Sequence, residues 1–478
     1  AVTDTSNKIA IGYRAGYADG GEMDVHIGYE AGRNVTAGDN ISIGRGAGMG
    51  YHGVGQTEFQ VNTTARYNVS IGTLAGQRVI GTKNIHVGYK AGMNASGSNN
   101  TFMGYEAGLG GTTSAPFSSG EKNTAVGYQS FDAFTTAENT TALGYQAGTA
   151  ITSGNSNTTI GYQSSLSLTI GAANVTIGYA AGDAMTSTSS TVLIGANAGT
   201  AINSTDANGT VAIGYNAGAA LTSGQKNTII GYQAGDAMTD GDSSTIIGYQ
   251  AGTALTPTAE QGSTLIGKDA GKALTTGPYN TAIGRAALIT ATTANSTIAI
   301  GDSAAQYLAA STAFVGVMAI GGSALGDATG LDTTANYSIA IGGGAGNNAS
   351  NLAGEFVIIG RSAGHKLNGT GVVHVGHEAG QYASGSYNTF VGSQAGEGGT
   401  TSAPFSSGQY NTAVGSFALD GFTSGTQNVA IGYQAGTDLT TGYYSAYIGM
   451  QAGQNVTSGH THVFIGFQAG NDVTDTNQ

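Results

Sequence analysis

The chain has 478 residues, of which 82 are glycine, and only 9% of its residues are charged. It has no cysteine, which excludes disulfides and thiolate metal sites. The net charge of −13, with only 15 lysine and arginine residues, leaves no basic stripe, so we expect neither a nucleic-acid partner nor attraction to an anionic membrane. No apolar run is long enough for a membrane-spanning helix, and membrane insertion is not expected either.

A repeat extends along the whole chain. An apolar residue followed by glycine recurs in 26 copies, mostly 16 or 17 residues apart, from Ile11-Gly12 and Ile27-Gly28 to Ile465-Gly466. A short fixed period means that each unit contacts mainly its neighbours. We therefore predict one continuous repeat body over residues 1–478, without a conventional globular core.

The residues before each anchor alternate like a strand. With the apolar anchor as position 0, positions 0 and −2 are mostly β-branched, whereas position −1 varies from Ala10 to Phe102 and Tyr447. Alternation over two residues is typical of a strand with one buried face. We predict that positions 0 and −2 face inward and that position −1, including His86 and His374, faces solvent. The predicted core row contains Ile11, Ile27, Ile43, Ile230, Ile247, Ile431, Ile448 and Ile465.

The rest of the repeat predicts corners and a second strand. The glycine after the anchor tolerates positive φ and indicates a corner. A Tyr-Gln-Ala segment follows, predicted as a second strand with its alanine inward, and a Thr-Ser-Gly cluster such as 222–224 makes the return turn. These features predict an all-β fold, a parallel β-solenoid (β-roll) of about 26 short coils. Its interior would be narrow, so we expect several chains, three in the preferred arrangement, to share an apolar core.

Two polar or aromatic slots are also periodic. Tyrosines such as Tyr89 and Tyr105 follow the glycine and would stack as an aromatic ladder, which favours packing between coils or subunits over a sugar-binding surface. Asparagines such as Asn68 and Asn174 create glycosylation sequons, but we interpret them as supports for corners or stacked side-chain ladders.

The period slips in four places, which we predict to be irregular insertions at 45–68, 107–121, 302–338 and 395–409. Segment 84–155 is duplicated as 372–443, with corresponding residues 288 apart. The duplicated insertions carry the candidate contact residues Pro116, Phe117, Pro404 and Phe405. We expect either projecting loops that contact a ligand, since binding residues concentrate on loops held by a rigid scaffold, or insertions that pack between chains.

Motifs for catalysis are not convincing. Gly360-Arg361-Ser362-Ala363-Gly364 matches the nucleophile-elbow pattern, but it is the ordinary repeat with serine in the glutamine slot and lacks a strand-turn-helix context. The sequence also lacks the nonapeptide calcium pattern. We therefore predict no enzymatic activity, no cofactor and no metal site.

The phrases Asn-Thr-Ala-Ile-Gly, at 280–284, and Ala-Gly-x-x-x-Thr-Ser-Gly, at 217–224, resemble the head repeats of trimeric autotransporter adhesins (YadA-like heads) and related phage tail-fibre repeats. The resemblance covers nearly the whole chain, although the usual coil of 16 or 17 residues is longer than the family's commoner one. It implies a left-handed, trimeric β-roll with an adhesive surface.

The leading hypothesis is a non-enzymatic structural and adhesive fibre outside a cell or virion. Its expected partners are two further copies of the chain and a cell-surface glycan or protein receptor. The alternative is a self-assembling extracellular filament, built by end-to-end stacking of solenoids through exposed terminal coils. A polysaccharide-cleaving enzyme would need a recurring carboxylate cluster, which the sequence does not indicate.

Overall fold

The chain folds into two compact units, 1–242 and 243–478, and each is a parallel β-solenoid. A computed structural model describes residues 7–50, 64–112, 117–256, 262–308, 315–327, 336–350, 355–402 and 405–473. Within these ranges it has 26 strands of three residues each, so the predicted fold class and coil number are confirmed. That the two units form one continuous body stays a prediction.

Each strand ends at one of the predicted anchors. The first unit contains β1 (Ile9–Ile11), β2 (Val25–Ile27), β3 (Ile41–Ile43), β4 (Val69–Ile71), β5 (Ile85–Val87), β6 (Thr101–Met103), β7 (Thr124–Val126), β8 (Thr141–Leu143), β9 (Thr158–Ile160), β10 (Val175–Ile177), β11 (Val192–Ile194), β12 (Val211–Ile213) and β13 (Thr228–Ile230). The second unit contains β14 (Thr245–Ile247), β15 (Thr264–Ile266), β16 (Thr281–Ile283), β17 (Ile298–Ile300), β18 (Met318–Ile320), β19 (Ile339–Ile341), β20 (Val357–Ile359), β21 (Val373–Val375), β22 (Thr389–Val391), β23 (Thr412–Val414), β24 (Val429–Ile431), β25 (Ala446–Ile448) and β26 (Val463–Ile465).

Helical structure is confined to one 3-10 turn, Thr205–Ala207, in the part of the chain that the structure describes. No described helix has the length and apolar character needed to cross a membrane.

Consecutive strands within each unit pair in parallel with equal positions side by side. Val126 pairs with Leu143, and Leu143 pairs with Ile160. The backbone ladder continues past the strand, because the Gly161 N–H donates to the Leu143 carbonyl at 2.8 Å. Stacking of like positions therefore satisfies the backbone hydrogen bonds from one coil to the next.

The predicted second strand is wrong, because the Tyr-Gln-Ala segment is a turn. Gln146 and Gln163, three residues after their anchors, have φ of 53° and 52°, in the left-handed region. A strand cannot continue through that conformation. The turn still bonds between coils, since the Gln163 N–H donates to the Tyr145 carbonyl at 2.9 Å.

The predicted assignment of the two strand faces is also wrong, because the alternation is correct but its phase is reversed. Position −1 is buried inside the coil, and both His86 and His374 are fully buried rather than exposed. The predicted core row lies on the outside of the coil. Ile11, Ile431 and Ile465 are 60%, 39% and 68% exposed. Partly buried members of that row are Ile27, Ile43, Ile230, Ile247 and Ile448.

Three rows of side chains fill the interior of the coils. The first is position −1, and the second is the alanine four residues after the anchor, such as Ala147 and Ala181, which confirms the predicted inward alanine. The third row, eight residues after the anchor, was not predicted from the sequence. Its fully buried members include Ile151, Leu168 and Met185. The core of each coil therefore lies between one strand and the return segment.

The corner glycine has no room for a side chain. Gly342 has φ of 131°, and a Cβ there would lie 2.5 Å from the carbonyl oxygen of Gly360 in the next coil. The adjacent Gly343 has no atom within 4 Å of its Cβ position. We expect Gly342→Ala to destabilise the protein by about 3 kcal/mol through backbone strain and steric overlap, with a much smaller effect of Gly343→Ala. Thermal unfolding of both variants checks this, and equal losses would contradict it.

Candidate functional site

The most extensive uncharged surface is the outside of the strands. We define the outer face of each unit as the side chains at positions −2 and 0. Position 0 is Ile, Val, Leu or Met in all 26 strands, and no residue at position −2 of a strand is charged. Many of these side chains are well exposed, as for Leu143 at 45% and Met103 at 42%. Exposed apolar patches of such extent mark interaction surfaces.

A ladder of tyrosine rings lies two residues beyond the anchors of the first unit. Successive ring centroids are 5.0 to 5.2 Å apart from Tyr89 to Tyr179, which confirms the predicted aromatic ladder. The rings remain 39% to 57% exposed. The ladder consists of Tyr89, Tyr105, Tyr128, Tyr145, Tyr162 and Tyr179. Stacking holds the rings in one orientation and leaves an aromatic surface available for contact.

The second unit differs at this slot. Its residues include Lys268, Arg285 and Asp302, and the Arg285 Nε lies 2.7 Å from the Asp302 Oδ1. The outer faces of the two units share an aliphatic residue at position 0. They differ two residues after the anchor, where the first unit has the tyrosine ladder and the second unit includes charged side chains.

Asparagines form the predicted ladder inside the return turns. The Asn100 N–H donates to the Asn84 Oδ1 at 2.8 Å, and the Asn84 Nδ2 donates to the Gly97 carbonyl at 3.0 Å. The sequon asparagines Asn68 and Asn174 are buried in this row. Their structural role follows from these bonds, which satisfy backbone groups that the corner leaves unpaired.

The structure describes two of the four predicted contact residues, Phe117 and Phe405. Phe117 is 3% exposed, with the Arg78 guanidinium 5.5 Å from its ring centre, so its prediction as a projecting residue is wrong. Phe405 is half-buried against Tyr382, with ring centres 6.3 Å apart. Pro116 and Pro404 lie outside the described residues. Both phenylalanines therefore contact other coils of the same chain, and whether the insertions bind a ligand or pack between chains stays a prediction.

The duplication is reproduced in three dimensions. Parallel bridges join Ala95 to Ser118 and, 288 residues later, Ala383 to Ser406. The ring pairs also match. The ring centres of Phe102 and Phe134 are 5.4 Å apart, and those of Phe390 and Phe422 are 5.5 Å apart. Equivalent insertions therefore adopt equivalent local structures in the two units.

The duplicated segments bury titratable groups that sequence reasoning missed. Both ring nitrogens of His86 and of His374 lack a hydrogen-bond partner, and burial lowers the pKa of His86 to about 4 and that of His374 to about 3. Burial also raises the pKa of Asp132 and of Asp420 to about 6. Duplication was the only sequence signal, because the spacing of 288 pairs His86 with His374 and Asp132 with Asp420.

A neighbouring carboxylate adds to each raised carboxyl pKa. Glu106 acts on Asp132, and Glu397 acts on Asp420. Burial and a like charge are also the causes that raise the pKa of general acids in enzymes. These carboxyl pairs are therefore the residues to substitute if an assay detects hydrolytic activity. The absence of enzymatic activity stays a prediction.

One cluster in the first unit has the composition of a metal site. Ligand atoms of Asp19, Asp24 and His26 lie within 4.8 Å of one another. Burial raises the pKa of Asp24 to about 6. The three residues lie within segment 19–26 but in different rows of the repeat, so the period did not indicate a site. The return turn before β2 brings their side chains together.

No family model matches this sequence, and neither does any curated protein.

Proposed function

We propose that the protein is a non-enzymatic structural and adhesive fibre that presents a multivalent surface outside a cell or virion. The outer face is the observation that carries the proposal. Position 0 is aliphatic in every strand, although this row lies outside the coil. An uncharged apolar face of this regularity is costly to leave in water and is relieved by burial against another surface.

A second and third copy of the same chain are the partners that suit this face. Each coil repeats an aliphatic residue at position 0 beside an uncharged residue at position −2, so copies aligned side by side would meet with like rows in contact along each unit. Rotational symmetry places the same patch of every copy around one axis. The resemblance of the 280–284 and 217–224 phrases to trimeric adhesin heads supports three chains and a left-handed coil.

Adhesion would then depend on repetition. Several chains that carry stacked coils present the same contact many times, and individually weak contacts add when they are linked. The exposed ladder from Tyr89 to Tyr179 offers aromatic surface to a glycan or protein receptor. Tyrosines that remain exposed after the chains associate would form the receptor-binding surface.

The test is the mass of the native particle for the wild type and for Ile230→Asp. Ile230 is partly buried on the outer face, so the carboxylate reaches water in a single chain but not in an interface. We expect a discrete trimer for the wild type and a folded monomer for the variant, by light scattering and circular dichroism. A monomeric wild type, or an unchanged trimer for the variant, would contradict the proposed interface.

A filament is the second candidate, and the stacking of coils within the chain favours it. Val126 pairs with Leu143, and Leu143 pairs with Ile160, in the same parallel register. The same pairing could join coils of different chains end to end. Electron microscopy separates the two candidates, since fibres of unlimited length would favour the filament and discrete rods the adhesin.

A further inference from the structure

We propose that the first two coils of the first unit hold a divalent metal ion, of which Zn²⁺ is the probe, between Asp19, Asp24 and His26. Asp19 follows β1, whereas Asp24 and His26 belong to the coil of β2. The ion would therefore join one coil to the next. No other described group of histidines and carboxylates comes this close together.

The repeat itself serves as the internal control for this site. Asp19 lies eight residues after its anchor, where other coils carry buried apolar residues such as Ile151 and Leu168. Asp24 lies three residues before its anchor, in the row that is Asn40 and Asn84 elsewhere. A carboxylate thus replaces a neutral residue in two different rows, and the two carboxylates meet inside the solenoid.

The two carboxylates are held in similar ways. The Oδ1 of Asp19 accepts from the Gly21 N–H at 2.9 Å, and the Oδ1 of Asp24 accepts from the Asn40 N–H at 2.8 Å. The second oxygen of each remains for another partner. The Asp19 Oδ2 lies 3.2 Å from the His26 Nε2, and the Asp24 Oδ2 has no hydrogen-bond partner.

The unpartnered oxygen is the second, independent observation. Asp24 is fully buried and the exposed fraction of His26 is 1%. A buried carboxylate oxygen without a donor is costly, and a cation bound to it removes that cost. Two carboxylate oxygens and one imidazole nitrogen suit Zn²⁺ and similar divalent transition ions.

Lys8 is the competing cation. Its Nζ lies 3.5 Å from the Asp19 Oδ2 and donates to the Asp19 carbonyl at 3.1 Å. Its ammonium group supplies one positive charge to two carboxylates and does not satisfy the Asp24 Oδ2. Metal binding would keep the Lys8 contact with the carbonyl and replace its contact with the carboxylate. Removal of the Lys8 charge should therefore strengthen metal binding.

Zinc titration of the full chain, stripped with a chelator and followed by calorimetry, tests the site. We expect one tight Zn²⁺ per chain for the wild type and an affinity at least about tenfold lower for Asp24→Asn. That substitution introduces asparagine, which 12 of the other 25 coils carry at this position, so the ladder bond to the Asn40 N–H is kept. Lys8→Asn should bind Zn²⁺ more tightly than the wild type.

His26→Ser and His86→Leu form the matched histidine pair. Ser42 occupies the position of His26 in the next coil, and His86 is a buried histidine of the same row without a nearby carboxylate partner among the described contacts. We expect His26→Ser to lose Zn²⁺ binding and the thermal stabilisation by Zn²⁺, whereas His86→Leu keeps both. Failure of the wild type to bind Zn²⁺, or equal affinity in Asp24→Asn, would overturn the proposal.

Discussion

Replacing Ile229 by aspartate is expected to unfold the coils around β13, whereas the same change at the adjacent Ile230 leaves the chain folded. Ile229 is at position −1 and is fully buried, while Ile230 is on the outer face and partly buried. A carboxylate at Ile229 would lie in the apolar interior without a partner. We expect a loss of more than about 4 kcal/mol in the free energy of unfolding.

Urea unfolding and limited proteolysis of both variants measure this difference. The pair is well matched, because the two residues are identical and adjacent in one strand. The isoleucine-to-aspartate change therefore alters strand propensity equally in both variants, and the two variants differ in the direction of the substituted side chain. If Ile230→Asp unfolds the isolated chain and Ile229→Asp does not, the interior of the coil has been assigned to the wrong face.

The same two residues show why the sequence predicts the coil but not its inside. The alternation of two requires that Ile229 and Ile230 point in opposite directions, and it does not state which direction is inward. The more uniform row is usually the buried one. Here the uniform row is outside, because every coil presents the same aliphatic anchor to the surroundings.

Variation inside the coil has a packing reason. Position −1 contains Phe102 and Phe390, and both coils have glycine eight residues after the anchor, at Gly111 and Gly399. The coil of Ala142 instead carries Ile151 at that place. In these coils the two interior rows compensate in volume, whereas others, such as that of Leu193 with Ile202, pair two large residues. The residues of one interior row alone do not show this compensation in volume.

The candidate site was less predictable than the fold. The tyrosine and asparagine ladders follow from the period, since equal positions stack. The cluster of Asp19, Asp24 and His26 depends on how the return turn between β1 and β2 directs three nearby side chains, which the period does not specify. The burial of Phe117 likewise depends on how its insertion folds back, which the phase break does not specify.

Acid is expected to act in opposite directions on the buried histidines and the buried aspartates of the duplicated segments. For His86 the folded pKa of about 4 lies below the ordinary 6.5, so the unfolded chain binds more protons between these values. Its contribution to stability is therefore lost as the pH falls below 6.5, by about 3 kcal/mol at pH 4. His374, with a pKa of about 3, behaves in the same way.

The buried aspartates have the opposite sign. For Asp132 and Asp420 the folded pKa of about 6 lies above the ordinary 3.8, so the folded chain binds more protons between these values. Their penalty at neutral pH is relieved as the pH falls through 6. Each unit contains one such histidine and one such aspartate, so the two effects largely offset in the wild type between pH 6 and pH 4.

A variant without the buried histidines should show the pH dependence of the buried aspartates, and a variant without the aspartates should show that of the histidines. We expect His86→Leu/His374→Leu to become more stable, relative to the wild type, as the pH falls from 7 to 4, and Asp132→Asn/Asp420→Asn to become less stable. Leu193 occupies the position of His86 in another coil, so leucine suits that row. The groups beside His86 include Ser70, Gly76, Gly92 and Phe102, none of which titrates in this range.

Urea unfolding at pH 7, 6, 5 and 4 measures the difference between each double variant and the wild type. Groups shared by the proteins, including Asp24, cancel in that difference when they lie far from the changed residues. The two curves must separate in opposite directions, because burial favours the neutral form of each group, which is the deprotonated histidine and the protonated aspartic acid. Parallel curves would mean that these side chains are hydrated in the folded chain, and that the duplicated coils are open to water where the structure closes them.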